Sequence, residues 1–291
     1  MNSRKEGRLR YLLTSRGLPY ILVAPAMVFL LIFTFYPVVN MVYLSFFEYD
    51  MLTPKKFVGL QNYRRLFFEN IDFWPVLKNT AVYTFSVLLF LMLFALMFAC
   101  WFQNSTRINA LAQRIMFFPH LCATLSVAMV FQWLMSTEGL FNVVLSFFKL
   151  PGLRWLNDST TAMFSLVIIS VWKGIGYNAL ILLSSLKAIP VEINEAAALD
   201  DANPVTKFFK ITIPMLSPQL FFLLINITIS SFKVFDQVKV LTNGGPGNST
   251  EVLVHYIYKQ AFTNAKIGYA SAAGTVMVII LILLTILYFR A

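Results

Sequence analysis

The polar side chains that interrupt two long apolar stretches are the residues of this chain best suited to contact a solute. Lys173 lies near the middle of one stretch, in VWKGIGYN, with Trp172, Tyr177 and Asn178 around it. An ionisable group at that depth costs about 2.5–3.5 kcal/mol on insertion scales, so it should face a cavity or a partner. Aromatic faces beside amide and hydroxyl groups suit stacking on sugar rings and bonding to their hydroxyls. An alternative of equal weight is that Lys173 pairs with a carboxylate or carbonyl of a neighbouring subunit.

The second stretch offers another polar face. Asn226, Ser230 and Lys233 are spaced i, i+4, i+7 and therefore share one side of a helix. Lys233 and Asp236 are close enough in sequence to pair. Hydrogen bonding between helices explains the serines as readily as solute contact does. We expect the serines to serve packing and Asn226 to face a pore, and we keep Asn226, Ser230 and Lys233 as pathway candidates.

Motifs for enzymatic chemistry are missing from the sequence. GGPGNST lacks the lysine of a phosphate-binding loop, and no Ser-His-Asp order, HExxH or paired carboxylate site stands out. Cys100 and Cys122 fall inside apolar runs, and His120 and His255 are isolated. These observations predict no catalytic residue, no metal site and no cofactor bound by this chain.

Composition places the chain in a membrane. Its 291 residues are 58% hydrophobic and 12% charged, whereas soluble domains carry about 25% charged residues. The net charge of +10 comes from basic residues in segments that flank apolar runs, so it indicates membrane topology and not a nucleic-acid partner. The first apolar run is too long and too aromatic for a cleaved signal peptide, and it is expected to remain as a span.

Six apolar stretches are long enough to cross the hydrocarbon, which takes about 20 residues. In lipid the backbone must pair its own polar groups, so the predicted fold is all-α, an integral membrane bundle of six transmembrane helices. Pro25, Pro37 and Pro119 are expected to kink or cap their helices. The predicted spans are Tyr20–Phe46, Asn79–Phe102, Leu111–Met135, Ala162–Leu186, Pro218–Val240 and Gly268–Phe289.

The distribution of lysine and arginine orients the bundle. Residues 1–19 hold five basic residues and one acidic residue, and basic segments stay on the cytoplasmic side. Both termini are therefore expected in the cytoplasm, with residues 20–291 forming a single membrane domain. Residues 188–217, between the fourth and fifth spans, would also be cytoplasmic. FVGLQNYRRLF, in the first outer loop, is predicted to form a short interfacial helix.

Within that cytoplasmic loop, EAAALDDANPVTKFFKITIP predicts two short helices. Pro190 suits the first turn of one helix, and Asn203 with Pro204 suits the start of the next, which Pro214 and Pro218 should end. Three consecutive alanines would make the first helix thin enough for another surface to approach closely. From spacing alone, a surface helix-turn-helix with no further role explains the loop equally well.

The loop resembles the EAA loop of ABC-importer permeases, E-A-A-x3-G-x9-I-x-L-P. Matching residues are Glu195, Ala196, Ala197, Ile211 and Pro214, while Asp201 replaces the usual Gly and Ile213 the usual Leu. LPYILVAPAMVFLLIFTFYP, FVGLQNYRRLF, LTNGGPGNST and IGYASAAG also resemble the carbohydrate-uptake branch, the maltose-type and glycerol-3-phosphate-type permeases. The similarity covers nearly the whole chain after residue 17.

The resemblance implies a type I ABC importer permease fold whose loop is a coupling helix seated in a cytoplasmic ATPase. Glu195 would make a polar contact there and the alanine face would pack closely. It also implies a second permease, usually a different chain, two ABC ATPases that bind ATP and Mg, and an extracytoplasmic solute-binding protein, in the cytoplasmic membrane of a bacterium. The residues expected at the ATPase contact are Glu195, Ala196, Ala197, Asp200, Asp201, Ile211 and Pro214.

The function predicted on this basis is uptake of a sugar, oligosaccharide or related polyol. Lys173 keeps open an anionic substrate on the same scaffold, such as an acidic sugar or a polyol phosphate. The alternative from another class is a structural membrane subunit that transports nothing. A loop shaped for docking favours the permease over that alternative.

Overall fold

Helices make up most of the chain in the computed structural model, which describes residues 18–104 and 106–290. The basic segment predicted at 1–19 lies outside the described residues, except for its last two positions. Two short antiparallel strands, β1 (Phe47–Glu48) and β2 (Lys56–Phe57), pair Phe47 with Phe57. The helices are α1 (Leu18–Leu44, with a π-helical turn at Leu31–Phe35), α2 (Gln61–Arg64), α3 (Phe73–Trp101), α4 (Arg107–Leu121), α5 (Thr124–Leu134), α6 (Leu140–Phe147), α7 (Ala162–Lys187), α8 (Val191–Leu199), α9 (Pro204–Lys207), α10 (Ile213–Phe232), α11 (Asp236–Leu241), α12 (Leu253–Tyr258) and α13 (Ile267–Arg290).

The apolar helices confirm a multi-pass membrane bundle. By length and composition, five helical segments of the described chain could each cross a membrane, and a sixth span is possible if α4 and α5 count as one. Those two helices meet at 102°. The third span predicted at Leu111–Met135 is therefore not one continuous helix but two, broken at Cys122–Ala123. Pro119 lies in the last turn of α4, shortly before the break at Cys122–Ala123.

The prediction that Pro214 and Pro218 end a short helix is also wrong. The chain stays helical from α9 through a π-helical turn, Phe208–Thr212, into α10. Pro214 occupies the first turn of α10, and Pro218 lies inside the helix. A π-helical turn shifts the hydrogen-bond register, which lets the helix pass a proline that cannot donate. At its other end α10 stops at Phe232, short of the predicted Val240.

The described chain divides into two compact units. The first contains the residues up to Glu69 together with Gln260–Val276. Within it, the buried Asn62 donates hydrogen bonds to the carbonyl oxygens of Ser45 (2.8 Å) and Phe47 (2.9 Å), which fixes α2 against the start of the β1–β2 ladder. A Cβ placed on Gly274 would lie 2.7 Å from Met41 Sδ. This close approach of α13 to α1 is typical of membrane helices that pack through small residues.

The second unit holds Asn70–Lys259 and the residues from Met277 onward. Its core lies along one face of α7, where Leu166, Ile169 and Leu182 are fully buried. The facing side of α3 contributes Tyr83, Val87 and other buried residues to the same apolar cluster. Both helices are apolar around most of their circumference, so hydropathy alone does not show which face packs inside the unit. Burial identifies that face, and the polar residues of α7 lie beside this core.

Candidate functional site

Close packing of α7 against α4 is the basis of the candidate site in the second unit. A Cβ on Gly176 would collide with the backbone carbonyl of Met116, so only glycine allows the two helices this near each other. The contact brings the end of α4 to the polar face of α7. There the rings of His120 and Tyr177 stack with centroids 4.3 Å apart and planes 6° from parallel. One face of Tyr177 is therefore covered within this chain.

The break between α4 and α5 also reaches α7. Thr124 is the first residue of α5, and its Oγ1 lies 3.1 Å from Lys173 Nζ, which donates the hydrogen bond. The N-cap residue, Ala123, supplies no side-chain cap. Free N–H groups in a first helical turn carry partial positive charge. Lys173 and this helix start thus lie side by side.

A cavity of about 420 Å³ opens beside these residues. Parts of α3, α4, α5, α7, α10 and α11 surround it. Pockets of this size hold one small molecule. The polar lining residues are Tyr83, His120, Thr124, Ser170, Lys173, Tyr177, Asn178, Asn226, Ser230, Ser231, Lys233, Asp236 and Gln237.

Six of the seven pathway candidates line this cavity, and Trp172 does not. Trp172 packs edge-on against Phe131, with ring centroids 5.0 Å apart. A helix turns about 100° per residue, so Trp172 lies on a different face of α7 from its neighbour Lys173, which lines the cavity. Asn178 lines the cavity, but its Nδ2 donates to the carbonyl of Gly174 at 2.9 Å.

The predicted polar face comprised Asn226, Ser230 and Lys233, but the last of these does not belong to α10. Because α10 ends at Phe232, Lys233 follows the helix and Asp236 begins α11. Within residues 18–104 and 106–290, Lys233 and Asp236 form no ion pair, so the predicted pairing is wrong. Ser230 Oγ donates to the carbonyl of Ile227 at 3.1 Å, within its own helix, so this bond does not test the expectation that the serines pack helix against helix.

A hydrogen-bond chain that the sequence did not reveal forms another part of the cavity wall. Tyr83 Oη and Ser170 Oγ are 2.6 Å apart, and Ser170 Oγ donates to Gln237 Oε1. Ser170 precedes Lys173 by three residues and Tyr177 by seven, so helical spacing on α7 was the signal for it. Tyr83 and Gln237 come from distant helices, and nothing in their local sequence marks them.

His255, expected to be isolated, belongs to a buried cluster in the segment at 241–267. Its Nδ1 lies 2.7 Å from Glu251 Oε1, and both side chains are 3% exposed. Glu251 Oε2 is 3.8 Å from Lys259 Nζ. Gly244, at φ +83°, packs so closely on this carboxylate that an added Cβ would overlap it. The i, i+4 spacing of Glu251 and His255 was the available signal, and it went unrecognised.

The loop at 188–217 contains the two predicted helices, α8 and α9. Pro190 precedes α8 as its N-cap residue, one position earlier than predicted. Asn203 Oδ1 accepts from the backbone N–H of Thr206 at 2.7 Å, which confirms its role as N-cap of α9. Glu195 and Ala196 are exposed, while Ala197 is buried within the chain.

Asp201 forms the turn between these helices in a left-handed conformation, with φ +48°. The N–H of Asp201 donates to the carbonyl of Ala198 (3.2 Å), and that of Ala202 donates to Ala197 (3.0 Å). This is the pair of bonds of a Schellman motif, in which glycine normally occupies the left-handed position. The turn that the resembling family makes with glycine is thus made here with aspartate.

Large apolar side chains are exposed around this turn. The exposed residues include Leu199, at 87%, together with Val205 and Phe209. Acidic Glu195, Asp200 and Asp201 are exposed beside them. Ile211 is half-buried and Pro214 is exposed. An apolar surface with an acidic border is a pattern typical of a protein interface.

A helical membrane bundle with a polar cavity and an exposed helical loop is the arrangement expected of a membrane permease. Residues 91–291 match the family described as the inner membrane component of binding-protein-dependent transport systems. The chain belongs to this family, as the resemblance predicted.

Named relatives and solved structures agree with that membership. The chain is 34% identical to the probable ABC transporter permease protein YurN of Bacillus subtilis (strain 168), over 94% of this chain and 95% of the relative. It is 35% identical to the sn-glycerol-3-phosphate transport system permease protein UgpA of Salmonella typhimurium (strain LT2), over 95% and 94%. A crystal structure of a bacterial ABC transporter involved in the import of the acidic polysaccharide alginate contains a chain of the same fold. The TM-score is 0.82, with 23% identity over 97% of this chain and 99% of that one.

Proposed function

We propose that this chain is the permease subunit of an ATP-driven importer that takes up a sugar, an oligosaccharide or a related polyol. The observation that carries the proposal is the cavity, in which Asn226, Ser230 and Tyr177 offer amide and hydroxyl groups beside Lys173 and Lys233. A polyhydroxylated solute needs such a lining. Relatives named for sn-glycerol-3-phosphate transport and for import of alginate support a carbohydrate-like substrate.

The exposed loop is proposed as the docking site of an ATPase on the cytoplasmic side. Glu195 and Ala196 are accessible to a partner, and Leu199 and Phe209 present apolar surface that a partner would bury. Ala197 would act differently from the prediction, by packing inside the loop. Asp200, Asp201 and Pro214 border the exposed surface, and Ile211 supports it from a half-buried position.

The assembly we propose contains this chain, a second permease of different sequence, two ABC ATPases and an extracytoplasmic solute-binding protein. ATP and Mg would bind to the ATPases and not to this chain. A solved neighbour of the same fold, described in complex with an alginate pentasaccharide-bound periplasmic protein, supports the binding-protein partner. In this arrangement both termini lie in the cytoplasm of a bacterium, and the cavity lies in the bacterial cytoplasmic membrane.

Affinity purification of the tagged chain from its native membrane, followed by mass spectrometry, tests the assembly. A stoichiometric ATPase with a phosphate-binding loop should co-purify, and reconstituted vesicles should accumulate solute only with ATP and binding protein. Recovery of the chain without a nucleotide-binding partner, or of a complex that hydrolyses ATP without uptake, would favour the structural-subunit alternative.

Charge reversal in the loop tests the docking site. Glu195→Lys should abolish co-purification of the ATPase or uncouple ATP hydrolysis from uptake, and Ala196→Arg should do the same because both residues are exposed. Glu138→Lys, an equal charge change at another exposed position, is the matched control. Normal uptake by both loop variants would refute the docking role.

A further inference from the structure

More positively charged than negatively charged side chains line the cavity. Lys173 and Lys233 both line it, and Asp236 is the one carboxylate among its described lining residues. In the part of the chain that the structure describes, neither lysine forms an ion pair with a carboxylate. A lysine in a membrane bundle normally has a partner, because an unpaired charge there is costly. Within the described residues the two lysines are therefore left without a carboxylate partner, and an anion bound in the cavity would balance their charge.

The broken span adds to this positive character. Thr124, the first residue of α5, lines the same cavity, and the 11-residue helix begins there without a side-chain cap. In transporters, discontinuous membrane helices characteristically direct the N-terminal ends of their half-helices toward anionic substrate groups. The hydrogen bond from Lys173 to Thr124 Oγ1 holds one cationic group at that end.

Lys173 retains capacity to bind an anion in this position. An ammonium group has three donors, and the bond to Thr124 uses one of them. Lys233, the C-cap residue of α10, is exposed and lines the same cavity. His120, near the end of α4, also lines the cavity. Its ring is stacked on that of Tyr177, and it brings no negative charge.

We propose that Lys173, Lys233 and the N-terminal turn of α5 form a subsite for one anionic group, a carboxylate or a phosphate monoester, on a polyhydroxylated solute. The inference rests on the proposed importer function and narrows its substrate class to acidic sugars or polyol phosphates. Asn226 and Ser230 line the same cavity and would face the hydroxyl groups of the solute.

Uptake of matched acidic and neutral probes by the whole reconstituted complex, with its binding protein, tests the subsite. The probes are glycerol 3-phosphate against glycerol, and galacturonate against galactose. At least one acid should enter at least tenfold faster than its neutral counterpart. Preference for glycerol 3-phosphate would identify a phosphate group, and preference for galacturonate would identify a carboxylate. Equal uptake of acid and neutral probe, or uptake of the neutral probes alone, would overturn the proposal.

Single substitutions separate the two lysines from general effects. Lys173→Met and Lys233→Met should each lower uptake of the acidic probe at least tenfold, and Lys173→Arg should restore most of it. Lys78→Met, at an exposed lysine of α3 outside the cavity, is the control. Acid uptake that survives both methionine substitutions would refute the subsite. If the Lys173→Met complex fails to assemble, the Lys233→Met complex decides, and acid uptake unchanged in it would refute the subsite.

The two proposals fail in different ways. If the permease function is wrong, the tagged chain purifies without a nucleotide-binding partner, whatever the probes do. If only the anionic subsite is wrong, wild-type uptake persists but does not distinguish acid from neutral probe or depend on Lys173.

Discussion

Lys173 and Thr124 join the middle of an unbroken helix to the first residue of a broken one, through a 3.1 Å hydrogen bond from Nζ to Oγ1. The two residues are 49 positions apart in sequence. The bond fixes where the Lys173 charge lies relative to the start of α5. Lys173 stands out in the sequence because a charge inside an apolar stretch is costly. Thr124, which positions it, has no feature that marks it in the sequence.

Replacing Thr124 with valine should remove this bond while preserving shape. A hydrogen bond to a charged group contributes about 1.5–3 kcal/mol, and part of that should appear as a lower initial rate of uptake in reconstituted vesicles. We expect a reduction of about threefold to tenfold. Thr124→Ser keeps the hydroxyl and should transport almost normally. Equal rates for the valine and serine variants would show that the bond does not position Lys173.

Gly176→Ala should weaken the packing of α7 on α4. Its Cβ would meet the backbone of Met116, which cannot move aside without displacing the helix. Overpacking of this kind costs about 1–3 kcal/mol, so the midpoint of thermal unfolding in detergent should fall.

Gly174→Ala is the matched control, on the same helix two residues earlier. Its Cβ would lie 3.1 Å from a methyl group of Leu91, a flexible side chain that can shift. The Gly174 variant should therefore lose less stability than the Gly176 variant. The reverse order would mean that backbone contact between α4 and α7 is not limiting.

The sequence predicted the elements more successfully than their interruptions. Length and apolarity identified the helical stretches, because a span is a local property of about 20 residues. An interruption at Pro119 was expected, but not a break of 102° that divides the span into two helices, and the continuous helix through Pro214 and Pro218 was missed. A proline has the same local chemistry in each case, and its surroundings decide whether the helix bends or passes it.

The candidate site divides in the same way. Residues on α7 and α10 were found because they are polar in apolar surroundings and share a helical face. Tyr83, Thr124 and Gln237 reach the cavity through tertiary packing, which helical periodicity does not encode. Trp172 was included because of its chemical type, and its position on the helix excludes it.

Asp201 provides a test of backbone strain in the loop. Its φ of +48° is a conformation that costs a non-glycine residue roughly 1–2 kcal/mol. Asp201→Gly should relieve that cost and slow hydrogen exchange of the amides of α8, while Asp201→Val should accelerate it. A glycine variant that exchanges faster than wild type would indicate that the Asp201 side chain stabilises the turn more than its backbone strain destabilises it.

Two glycines of the loop between α11 and α12 separate backbone strain from steric overlap. Both have positive φ, +83° at Gly244 and +57° at Gly247, but an added Cβ would overlap the Glu251 carboxylate only at Gly244 and would meet open space at Gly247. Each alanine substitution should cost about 1–2 kcal/mol through its backbone conformation. Gly244→Ala should cost more, because it displaces a buried carboxylate from its 2.7 Å contact with His255. Thermal unfolding in detergent should therefore begin at a lower temperature in the Gly244 variant than in the Gly247 variant. Equal unfolding temperatures would show that the Glu251–His255 contact does not stabilise this loop.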